Sequence, residues 1–85
     1  MLTIEQLKEA NKTKKLKIVN DGYDPLLYIG EEKVAILFRN ANKIGYIVGI
    51  CFESKDYEPI EVSCMQEGAF EVKHYLNSVG VECDF

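Results

Sequence analysis

Two alternating apolar runs joined by a tight turn constrain this chain more than any other feature. Residues 33–40 read KVAILFRN and residues 43–53 read KIGYIVGICFE, with Asn40-Ala41-Asn42 as the turn between them. Both runs are dense in β-branched and aromatic side chains, the residues that favour a pleated, half-buried strand. A connection this short closes an antiparallel hairpin and leaves no room for a crossover helix. Alternation puts Val34, Ile36 and Phe38 on one face of the first strand and Ala35 and Leu37 on the other. In the second, Ile44, Tyr46, Val48, Ile50 and Phe52 share one face, and Gly45, Ile47, Gly49 and Cys51 share the other.

The flanking segments extend the same pattern. KLKIVN (15–20) and LLYIG (26–30) read as two further strands, separated by the turn-rich NDGYDP (20–25), and Gly30-Glu31-Glu32 turns the chain into the hairpin. After the loop SKDYEP (54–59), Ile60-Glu61-Val62 reads as a short edge strand, with Pro59 at its start. The chain opens with Thr3-Ile4-Glu5-Gln6, a capping box, with Leu2 and Leu7 placed as a hydrophobic staple; the helix it starts is expected to end near Asn11 and Lys12. The predicted fold is α+β: an antiparallel meander sheet of four to five strands flanked by an N-terminal and a C-terminal α-helix, in a single domain over 1–85.

The C-terminal helix carries an oddity. Ser63-Cys64-Met65-Gln66 has the form of a second capping box, and Gly80 suits the residue just past the helix end. Met65, Ala69, Val72, Leu76 and Val79 form one stripe, with Tyr75 at its edge. At about 100° per residue, Phe70 falls about 140° from the centre of that stripe, among Gln66, His74 and Asn77. Gly68 inside the helix costs about 1 kcal/mol relative to alanine, so it is expected to allow a close approach to the sheet or to a partner. The sheet raises a second question. With helices over the face of Ile36, Phe38, Tyr46, Val48 and Ile50, the other face still shows Ala35, Leu37, Ile47 and Cys51, which a solvated sheet face would not. Either a helix covers each face within the monomer, or Leu37, Ile47 and Cys51 form a homodimer face, with Gly45 and Gly49 leaving room for a neighbouring chain.

Composition excludes several classes. With 47% hydrophobic and 28% charged residues the chain is globular rather than disordered. No run approaches the ~20 apolar residues of a membrane span, and the amphipathic opening has no signal-peptide core, so a cytoplasmic location is expected. Cys51, Cys64 and Cys83 are odd in number and widely spaced, which fits neither a disulfide framework nor a zinc site, so no metal or other cofactor is expected. Asp21 and Asp24 could hold a hard cation, but the loop lacks a regular ligand ladder. No phosphate-loop, dinucleotide or nucleophile-elbow motif is present. His74 alone suits general-base work near neutrality. Cys64 lies ten residues from it, about 15 Å along a helix, too far to form a pair. An enzyme is therefore not expected.

The net charge of −4 is unevenly spread: residues 1–43 carry eight bases and six acids (+2), and residues 44–85 carry two bases and eight acids (−6). The lysine run Lys8–Lys17 could grip phosphate, and Tyr23 or Tyr28 could stack on bases. The overall negative charge, the single arginine and the absence of a recognisable motif argue against direct nucleic-acid binding, and the run reads instead as a lysine-guarded edge strand.

In size, acidity and α+β content the chain is similar to small phage-encoded inhibitors of host defence or DNA-handling enzymes, although no stretch carries a family motif. The expected function is a non-enzymatic protein-interaction module whose acidic half occupies a basic, nucleic-acid-binding surface of another protein. Phe70 and Tyr57 are the expected apolar anchors, with Asp56, Glu58, Glu67, Glu71 and His74 around them. The alternative is an oligomeric protein that binds or sequesters a small, nucleotide-like ligand between subunits.

Overall fold

The computed structural model describes residues 2–10, 15–20, 24–40, 44–54 and 56–85. Seven elements follow in order: α1 (Ile4–Ala10), β1 (Leu16–Val19), β2 (Leu26–Ile29), β3 (Glu32–Arg39), β4 (Tyr46–Ile50), β5 (Ile60–Val62) and α2 (Met65–Ser78). The five strands form one sheet in the order β1-β2-β3-β4-β5, and every neighbouring pair is antiparallel. This is the predicted α+β meander. The expected end of α1 at Asn11 and Lys12, the Asn40-Ala41-Asn42 turn, and the Asp21 half of the cation pair lie outside the described residues.

Local chemistry sets the element ends. The N-terminal capping box forms as read: the Gln6 amide donates to Thr3 Oγ1 at 3.1 Å, and the Thr3 amide donates to Gln6 Oε1 at 2.8 Å. The second box does not. Cys64 is the N-cap of α2 and makes no side-chain cap bond, while Ser63 gives both its amide and its hydroxyl to Glu67. The pairing has moved one residue along, to the neighbouring carboxylate, which is a stronger acceptor than the Gln66 amide. At the other end Gly80 adopts φ 93°, and the amides of Gly80 and Val81 donate to Asn77 and Leu76 carbonyls, a Schellman closure.

The core lies between the sheet and α2. Leu27, Ile29, Val34, Ala35, Leu37 and Val48 from the sheet, and Ala69, Val72 and Leu76 from the helix, are all buried. Full burial of one such Val or Leu side chain stabilises by about 1.5–3 kcal/mol. The bridge Leu2↔Phe52 and the buried Leu7 bring α1 to the same core.

The faces of β3 are the reverse of the expected ones. The register shifts between Leu27 and Tyr28, whose β3 partners are Ala35 and Lys33, so Val34 is an extra residue and both Val34 and Ala35 are fully buried. Beyond this bulge Leu37 points to the helix side, opposite Val48, while Ile36 and Phe38 turn away. Leu37 and Ala35 are therefore core residues and not part of an open face. A side chain at Gly68 would meet Leu37 and Val62, so that glycine lets α2 settle onto the sheet. Gly45 and Gly49 leave no vacant space for a neighbouring chain. A Cβ at Gly45 would meet the Val62 carbonyl, and one at Gly49 would lie 2.7 Å from the Phe38 ring.

Candidate functional site

The expected partner surface divides into two flanks of α2. On one flank Phe70 is 57% exposed and borders a shallow dimple with Lys73, His74 and Asn77. Its company is cationic rather than acidic. Lys73 Nζ lies 5.8 Å from the Phe70 ring centroid and 5.4 Å from that of Phe85, and it pairs with Asp84 at 3.3 Å. Glu67 is exposed but caps the helix through Ser63, whose hydroxyl and amide hold its carboxyl below the usual range. His74 stands exposed on the helix surface.

The other flank holds Tyr57, Asp56, Glu58 and Glu71. Tyr57 is not a projecting anchor. It packs edge-on against Tyr75 at 4.9 Å, and its hydroxyl donates to the Val48 carbonyl at 3.3 Å. Burial, then the nearby charges of Glu71 and Tyr75, push its hydroxyl up to about 12. Tyr75 donates to Asp56 at 3.1 Å and shares a hydrogen bond with Ser54. Glu58 is exposed and Glu71 half-buried. Beside this network, Ile4, Glu5, Glu53, Asp56, Tyr75 and Val79 line an open cleft of about 470 Å³.

Three features were not foreseen. The first is the composition of the open sheet face. Cross-strand register sets it out in three rows: Lys17–Tyr28–Lys33, Val19–Leu26–Ile36–Gly49, and Phe38–Ile47–Glu61. Phe38 is 45% exposed, and Val19, Leu26, Tyr28, Ile36 and Ile47 are half-buried. Of the expected dimer residues, Ile47 lies here. Cys51, just past β4, is half-buried, and that burial raises its thiol pKa against the opposing pull of Lys33. The alternation of β3 carried the signal for this face, but the bulge inverted its phase.

The second feature is the C-terminal tail. Val81 and Cys83 are buried, and Asp84 bridges to Lys15 at the β1 edge, where the Leu16 amide donates to the Asp84 carbonyl at 2.6 Å. The alternation of Val81, Cys83 and Phe85 was the sequence signal for an extended, half-buried segment. The third is a groove of about 410 Å³ between β1 and α2, lined by Leu16, Lys17, Ile18, Gln66, Ala69 and Phe85.

Among the described residues no group of three or more His, Cys, Asp or Glu side chains is placed to hold a metal ion, and no helix is long and apolar enough to cross a membrane. Comparison with known proteins gives no match: no family model fits the sequence, no curated protein matches it, and no solved structure matches the fold.

Proposed function

We propose that this chain is a non-enzymatic protein-interaction module that pairs with a second copy of itself through the open sheet face and offers the acids of its second half to a basic protein surface. The observation that carries the reading is the one-sided sheet: α2 packs on the Leu37 side, and the face of Ile36, Phe38 and Ile47 has no described element over it. An apolar central row between charged corners is the pattern of a contact surface, not of a solvated sheet.

A second copy is the favoured occupant on size and charge. At about 4.8 Å per strand and 3.3 Å per residue the face spans about 400 Å², so two copies bury about 800 Å² together, the scale of a weak, reversible dimer. Lys17 and Lys33 mark one corner and Glu61 the far one. An orthogonal packing of two sheets sets the basic corner of each copy over the acidic corner of the other.

The acids of residues 53–58 remain outside that contact. Glu53, Asp56 and Glu58 are exposed, and a basic nucleic-acid groove on another protein is their electrostatic complement. Inhibition of a nucleic-acid-handling enzyme is the narrower form of this proposal. The competing reading, a nucleotide-like ligand, is disfavoured by the carboxylates of Glu5, Glu53 and Asp56 around the cleft beside Tyr75, which oppose phosphate.

Sedimentation velocity tests the self-pairing. Wild type is expected to shift from monomer to dimer as concentration rises toward about 100 µM, and Phe38→Asp to stay monomeric with unchanged circular dichroism. A wild type that stays monomeric throughout, or a variant that associates equally, would overturn it.

A further inference from the structure

We propose that the open half of the β1 edge takes up an extended acidic peptide segment from another protein as a sixth strand, with one apolar side chain of that segment in the groove between β1 and α2. Among the described residues only the tail pairs on this edge, and hydrogen-bond parity turns the polar groups of Ile18 toward it. The Leu16 amide points away from β2, because it donates to Asp84. Two residues on, Ile18 must point its N–H and C=O the same way. The far side of the hairpin agrees. The Leu37 amide donates to the Pro25 carbonyl, so Leu26↔Ile36 is a non-hydrogen-bonded pair and Leu26 turns its polar groups to β1, toward Val19. Lys17 and Val19 thus bond β2, and Ile18 faces outward.

The chemistry of the occupant is given by what already sits on this edge. The tail lies parallel to β1 and contributes a backbone carbonyl to Leu16, a carboxylate to Lys73 and an aromatic ring, Phe85, to the groove wall. Lys15 donates to the Phe85 carbonyl at 3.0 Å. The tail occupies the Lys15–Leu16 end, and Ile18 continues the same edge with 36% of its surface exposed. Lys15 and Lys73 already hold the tail through the Phe85 carbonyl and Asp84, and Lys17 adds a positive charge beside Ile18. Lysines on an edge repel another basic strand, and they admit one carrying carboxylates. Backbone pairing supplies the affinity, and the groove selects alternate apolar side chains.

This edge borders the open sheet face and shares Lys17 and Val19 with it, but not Ile36, Phe38 or Ile47, so shifts at Ile18 and Ala69 separate this proposal from the self-pairing. The test titrates the full chain with the blocked peptide Ac-Asp-Phe-Glu-Val-Asp-NH2, following backbone amide shifts. The expected result is saturable shifts at Lys17, Ile18, Val19 and Ala69, binding at least about tenfold weaker for the same peptide N-methylated at Phe and Val, and none for a peptide with Lys at the acidic positions. Equal binding of the N-methylated peptide would show that no strand is added, and would overturn the proposal. So would shifts confined to Phe38 and Ile47, or no shifts at about 1 mM peptide.

Discussion

Gly68 of α2 rests on Leu37 of β3: a methyl group at Gly68 would stand 2.8 Å and 3.0 Å from the two Leu37 δ-carbons. The contact lies on the side of the sheet that α2 covers, opposite the face that carries Phe38 and Ile47. Adding the methyl should cost about 2 kcal/mol in overpacking and return about 1 kcal/mol in helix propensity, a net loss of about 1 kcal/mol. Leu37→Ala should cost about 2–5 kcal/mol. In the Leu37→Ala background Gly68→Ala should be neutral or stabilising, because the methyl enters the vacated space. A urea-unfolding double-mutant cycle measures the coupling, and simple additivity would show that the two residues do not meet.

Tyr57 links the loop before β5 to the sheet and gives the fold an alkaline limit. Its hydroxyl is raised from 10.0 to about 12, chiefly by burial. A group whose folded pKa is raised contributes stability that is complete below its unfolded value and is lost as pH rises through the folded one. Stability should therefore decline between about pH 10 and pH 12. Tyr57→Phe should flatten that decline in a series of urea titrations. It should also remove a component near pH 12 from the tyrosinate absorbance curve.

The three cysteines should react in an order set by their surroundings. Cys64 is exposed at the start of α2, Cys51 is half-buried and Cys83 is buried. Burial raises the thiol pKa values of Cys51 and Cys83, which lowers the thiolate fraction at neutral pH. Iodoacetamide labelling of the native protein, read by peptide mass mapping, should modify Cys64 first. Early modification of Cys83 would mean that the tail does not hold its place against Asn77.

Most of the fold was legible because strand length, turn chemistry and the α2 stripe all pointed one way. Phe70 was correctly placed on the outer face, since helical periodicity alone fixes that angle. Leu37 was misplaced because an extra residue at Val34 inverts the phase of everything after it, and an unbroken apolar run such as VAILF carries no mark of where a bulge falls. Tyr57 read as an exposed anchor because its loop is polar; its bond to Val48 is a tertiary contact that local sequence does not encode. Glu67 read as part of a charged patch, although its position four residues after Ser63 makes it a cap.

The most direct measurement of the central claim is a dilution series of the wild-type chain followed by backbone amide chemical shifts. If the open sheet face pairs two copies, shifts at Tyr28, Ile36, Phe38 and Ile47 move together on one binding curve, while those at Val72 and Leu76 on the core side of α2 stay fixed. Shifts that do not change with concentration, or that change on α2 and not on the sheet, would contradict it.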